Sequence, residues 1–101
     1  MRLNSNSELG HKRILIVDDQ SYNIDAALII LNCAMGPEAE RVSAKAFNGK
    51  QALDMVIKSV EHHNKDKCGF DLILMDCNMP FMDGYDATIE IRKYLDSLGL
   101  Q

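Results

Sequence analysis

Three times along the chain, a strand-like pattern gives way to apolar residues at helical spacing. Ile14-Leu15-Ile16-Val17 is a short unbroken run, mostly β-branched, as in strands covered on both faces, and it stops at Asp18-Asp19. From Ser21 the spacing lengthens. Ile24, Ala27, Leu28, Leu31 and Met35 share one helical face, with Ser21 as N-cap and Gly36-Pro37 as the stop, which predicts a helix over 21–35. Val42, Ala44 and Ala46 then alternate with Ser43 and Lys45, predicting a strand over 41–47. Asn48-Gly49 reads as a turn, and Leu53, Val56, Ile57 and Val60 mark a second helix. After a polar loop from His62 to Gly69, Phe70–Met75 is a third strand, and it too ends in an aspartate, Asp76. A Pro- and Gly-containing loop over 77–84 leads to a helix over 85–97, carried by Ile91, Leu95 and Leu98. Residues 1–12 have no periodicity and are expected to form a flexible N-terminal tail, leaving 13–101 as one domain.

Alternating strands and helices predict an α/β fold with right-handed crossovers and a parallel sheet. Ligands of such sheets gather outside the carboxyl ends of the strands. If the first and third strands are neighbours, Asp18, Asp19 and Asp76 meet at that edge. Three carboxylates repel one another unless a cation sits among them. Hard oxygen ligands with room for water suit Mg²⁺ better than an all-protein Ca²⁺ cage. A metal there would neutralise and orient a phosphoryl group, with Asp76 as the nucleophile that becomes an acyl phosphate. One aspartate after a strand is commonly a helix cap or turn residue. A pair on one strand and a third on another shift the balance toward a site.

Composition narrows the setting. The chain has 101 residues, 47% hydrophobic and 26% charged, enough for one core. A net charge of −4 without a basic stripe argues against nucleic acid as the partner. No run approaches the ~20 apolar residues of a membrane span, and residues 1–12 contain no apolar signal segment. Cys33, Cys68 and Cys77 lack any metal-type spacing and read as reduced thiols of a cytoplasmic protein. His62-His63 falls at a helix C-terminus, where solvated cations are favoured without any ligand role.

Three segments together carry a resemblance: Ile14-Leu15-Ile16-Val17-Asp18-Asp19, Asn48-Gly49-x-x-Ala52-Leu53, and Asp71 to Gly84 with its Asp76-Cys77-Asn78-Met79-Pro80 centre. They closely resemble the receiver domain of response regulators, and the D-C-N-M-P wording resembles receivers of hybrid histidine kinases. The resemblance implies a flavodoxin-like doubly wound sheet, here with strand order 2-1-3. It implies that Asp76 accepts a phosphoryl group from a phosphohistidine on a histidine kinase or histidine phosphotransfer protein. It further implies that Mg²⁺ is held directly by Asp19, through its water shell by Asp18, and by Asp76 and the Asn78 backbone carbonyl. Met79, Pro80, Asp83 and Gly84 would shape the loop beside the acceptor.

The family has five βα units and this sequence shows three, so a C-terminally truncated receiver is expected. Two further units would need on the order of 50 residues. The family's Ser/Thr after the fourth strand and its Lys after the fifth have no counterpart here. Three readings follow: a phosphoacceptor module; a partial receiver that only binds partners; and, weakest, a Mg²⁺-dependent phosphohydrolase. In order 2-1-3 the third strand is an apolar edge, so self-association through it is expected.

Overall fold

The computed structural model describes residues 12–76 and 84–100. The elements run β1 (Ile14–Val17), α1 (Ser21–Met35), α2 (Glu38–Val42), β2 (Ser43–Ala46), α3 (Gly49–His62), β3 (Leu72–Met75) and α4 (Gly84–Ser97). The three strands are parallel in the order β2-β1-β3, as expected for a flavodoxin-like sheet. Val17 lies level with Ala46 on one side and with Met75 on the other, so all three strands end together.

The central strand is buried along its whole length. Its four side chains are at most 4% exposed, which explains a run with no polar position. Leu15 and Val17 point to one face and pack with Ala52, Val56 and Val60 of α3 and Ile91 of α4. Ile14 and Ile16 point to the other and pack with Ile24 and Leu28 of α1. Each such side chain contributes about 1.5–3 kcal/mol through burial. Ala44 and Ala46 occupy β2 beneath α3, small side chains in the same buried cluster.

Several boundaries differ from the expectations, each for a local reason. Residues 38–42 form a short helix, so β2 starts at Ser43 and not at 41. Pro37 at the N-cap already has helical φ and ψ, Glu38 and Glu40 lie in the first turn, and buried Ala39 anchors the segment. Met35, expected on the core face of α1, is 49% exposed at the end of the last turn. Gly36 closes α1 at φ +85°, where its N–H donates to the Asn32 carbonyl at 2.8 Å. Asn48 is the N-cap of α3, accepting the Gln51 N–H at 2.8 Å, so the turn signal is a helix start. β3 begins at Leu72 and not at Phe70: Gly69 donates its N–H to the buried Ser59 hydroxyl at 2.8 Å, and Phe70 inserts into the core first. Lys12, assigned to the tail, is tied by its Nζ to the Arg41 carbonyl at 2.9 Å; residues 1–11 lie outside the described residues.

Candidate functional site

Backbone ladders carry the site beyond the strands that end beneath it. The Asp18 N–H donates to the Ala46 carbonyl at 3.1 Å, and the Asp76 N–H to the Val17 carbonyl at 2.9 Å. Both aspartates are thus the next rungs of the sheet, held by β2 and β1 respectively. Side chains at the ends of parallel strands project toward the carboxyl edge, where the loops open.

The three carboxylates converge there. One oxygen each from Asp18, Asp19 and Asp76 lies within 4.8 Å of the other two, and all three residues are half-buried. The expected meeting of the first and third strands is therefore present in the geometry. Asp18 has a second duty. Its Oδ1 accepts the Gln20 N–H at 3.0 Å and the Asn23 side-chain N–H at 3.3 Å. Ser21, expected as the N-cap, sits inside the first turn, and the N-cap residue Gln20 makes no side-chain cap. The role of Asn23 was not read from the sequence. An amide three residues inside a helix that follows an aspartate is the signal that points to it.

Gly84 opens α4, whereas Asn78, Met79, Pro80 and Asp83 lie outside the described residues. An oxygen-only, anionic donor set at partly buried positions fits a hard divalent cation. Among the described residues, no nitrogen or sulfur ligand, which would favour a softer metal, enters the cluster.

A protein-family model for the response regulator receiver domain matches residues 14–98. The chain belongs to this family. The receiver is 40% identical over 97 residues to histidine kinase CKI1 of Arabidopsis thaliana, a match spanning 92% of this chain and 8% of that kinase. A crystal structure of a mutant of the CKI1 receiver domain superposes with a TM-score of 0.77 at 37% identity, over 95% of this chain and 64% of that one. The CKI1 receiver domain complexed with Mg²⁺ and BeF₃⁻ gives a TM-score of 0.74 at 36% identity, again covering 64% of the solved chain. This receiver is therefore of the hybrid histidine kinase type and belongs to two-component signalling. It spans less than a tenth of the kinase it matches.

Outside the acidic cluster, the described part of the receiver holds few other candidates. His62 and His63 stack edge to face, with ring centroids 5.0 Å apart, at the end of α3. Burial, then Lys67 and His62, holds the His63 imidazole below its usual pKa. Cys33 is exposed and Cys68 half-buried, both as free thiols. No helix among the described residues is long and apolar enough to cross a membrane.

Proposed function

We propose that this receiver is the phosphoacceptor of a relay, taking a phosphoryl group from a phosphohistidine onto Asp76 in the presence of Mg²⁺. The convergence of Asp18, Asp19 and Asp76 carries the reading. Asp19 and Asp76 would hold the ion directly, Asp18 through its water shell, and the Asn78 backbone carbonyl would complete the set. Bound there, Mg²⁺ supplies countercharge to the carboxylates and to the incoming phosphoryl oxygens. Asp76 supplies the attacking oxygen. Its bond to phosphorus forms as the donor's N–P bond breaks, and the electron pair leaves with the imidazole. The 2.9 Å bond from the Asp76 N–H to the Val17 carbonyl anchors the Asp76 backbone to the end of β1. Met79, Pro80, Asp83 and Gly84 would shape the adjacent loop. The partner is a histidine kinase or a histidine phosphotransfer protein, in a cytoplasmic setting that free thiols at Cys33 and Cys68 suit.

A second reading is favoured by one observation: among the described residues no strand pairs with the outer side of β3, and Leu72 is 43% exposed. In that reading the partial receiver, residues 13–101, acts through binding, and self-association through β3 is its simplest form. The readings separate in one experiment. With Mg²⁺ and a phosphorylated histidine phosphotransfer protein, the chain should acquire an acid-stable, base-labile label that Asp76→Asn abolishes. A label surviving in Asp76→Asn overturns the phosphoacceptor reading, and phosphate turnover with no protein-bound acyl phosphate indicates a hydrolase. Mg²⁺ binding without a label leaves the interaction module.

A further inference from the structure

The carboxylate of Asp18 is gripped through one of its two oxygens. Oδ1 accepts two N–H groups, from the Gln20 backbone at 3.0 Å and from the Asn23 side chain at 3.3 Å. A carboxylate oxygen offers two lone pairs, so two donors occupy it fully. Among the described residues, no hydrogen bond reaches Oδ2. Asp18 thus commits one oxygen to the chain and leaves the other to the cluster with Asp19 and Asp76.

Both donors stand on one turn. Gln20 is the N-cap of α1 and Asn23 its third residue, and the Asn23 N–H donates to the Gln20 carbonyl at 3.1 Å. The next residue, Ile24, is 1% exposed and packs in the cluster of Ile14 and Ile16. The core therefore fixes the turn on which the carboxylate rests. The Gln20 bond is a backbone bond that any residue there would supply, whereas the second depends on the side chain at position 23. Asparagine is a poor helix former, and at this exposed position alanine would favour the helix more. What asparagine brings is an N–H without a charge. A lysine or arginine could donate to the same oxygen, but would place a cation of its own beside the carboxylates.

We infer that Asn23 is a positioning residue for the acidic cluster: by holding Oδ1 of Asp18 it keeps Oδ2 turned to the cluster, and so sets the affinity for Mg²⁺ without contacting the ion. The inference rests on the reading of the cluster as a Mg²⁺ site. Groups that orient a metal's ligands from outside change affinity by about 10–100-fold when removed. The Asn23 bond is exposed and the Gln20 N–H stays in place without it, so its loss should cost less, about three- to tenfold.

The test is a Mg²⁺ titration of the isotope-labelled 101-residue chain, followed by NMR. Asn23→Ala should weaken Mg²⁺ binding about three- to tenfold, while its urea unfolding in EDTA changes little. In EDTA, Asp18→Asn should shift the side-chain amide signals of Asn23, since their acceptor has lost its charge. With a phosphorylated histidine phosphotransfer protein as donor, Asn23→Ala should need correspondingly more Mg²⁺ for half-maximal labelling, yet reach the wild-type rate at saturation. Unchanged Mg²⁺ affinity in Asn23→Ala overturns the inference and leaves the Mg²⁺ reading standing. Asn23 amide signals that ignore Asp18→Asn overturn it too, because the bond is then not made. A loss of affinity matched by a loss of stability in EDTA assigns Asn23 to the helix alone, and a rate that stays low at saturating Mg²⁺ places its role outside metal binding; either overturns the inference. A wild-type chain that binds no Mg²⁺ overturns the Mg²⁺ reading itself, and the inference with it.

Discussion

β1 and β3 are both four-residue apolar strands, and each ends in aspartate, but they hold the site in different ways. β1 lies between two other strands and under helices on both faces, with no side chain more than 4% exposed. Among the described residues β3 pairs on one side only, and its first residue is 43% exposed. The Asp18-Asp19 pair therefore follows a strand that is buried along its whole length, whereas among the described residues Asp76 follows a strand with one ladder. Identical patterning in sequence does not mean identical support. What separates the two strands is the number of neighbours, which lies in topology and not in the residues themselves.

The largest effect should come from cutting into each strand in turn. Leu15→Ala removes a fully buried side chain from the centre of β1 and should cost about 3 kcal/mol or more in urea unfolding. Ile73→Ala, at the level of Leu15 but half-buried, should cost about half as much because its cavity opens to water. Equal losses would mean that the two strands are equally supported.

Next is the entry to β3. A methyl group on Gly69 would sit 2.7 Å from His63 Nε2 and 2.8 Å from Ser59 Oγ, so Gly69→Ala should destabilise by about 1–3 kcal/mol. Hydrogen exchange should show the loss concentrated in β3, with β1 opening only in global unfolding. The exposed Arg13–Asp71 pair joins the starts of the two strands, and both its side chains are about three-fifths exposed. Asp71→Asn should shift stability by no more than about 0.5 kcal/mol, checked by the same unfolding curves.

The smallest expected effect is a slope with pH. His63 Nε2 is sealed from water and has no hydrogen-bond partner among the described residues. Burial, Lys67 and His62 hold its folded pKa below the usual 6.5. The unfolded chain then binds this proton first as pH falls. The contribution of neutral His63 is full above pH 6.5 and is lost as pH drops below it. His63→Gln should flatten that part of a stability–pH curve, and an unchanged curve would place the imidazole in solvent.

Much of this was legible in the amino-acid pattern. The unbroken run at 14–17 and the spacing from Ile24 to Leu31 placed β1 and α1 because both depend on burial, which periodicity records. The meeting of Asp18, Asp19 and Asp76 followed from strand ends and parallel topology. The short helix at 38–42 was hidden because five residues are too few to show a period, and one buried alanine anchors it. The start of β3 was placed too early since Phe70 is buried like a strand residue but sits in the bend set by Gly69 and Ser59. Ser21 has the chemistry of a cap, but the helix starts one residue earlier than that reading, with Gln20 as the N-cap.

Asp18 is a joint between two structures. Its carboxylate belongs to the acidic cluster and also fastens the first turn of α1 through Gln20 and Asn23. Neutralising it would slacken the helix start and change the charge of the cluster together, so a loss seen at Asp18 has two origins. Asp19, one residue on, belongs to the same cluster and makes no side-chain hydrogen bond to another described residue. Adjacent and chemically identical, the two aspartates divide between them the tasks of holding the chain and of holding charge.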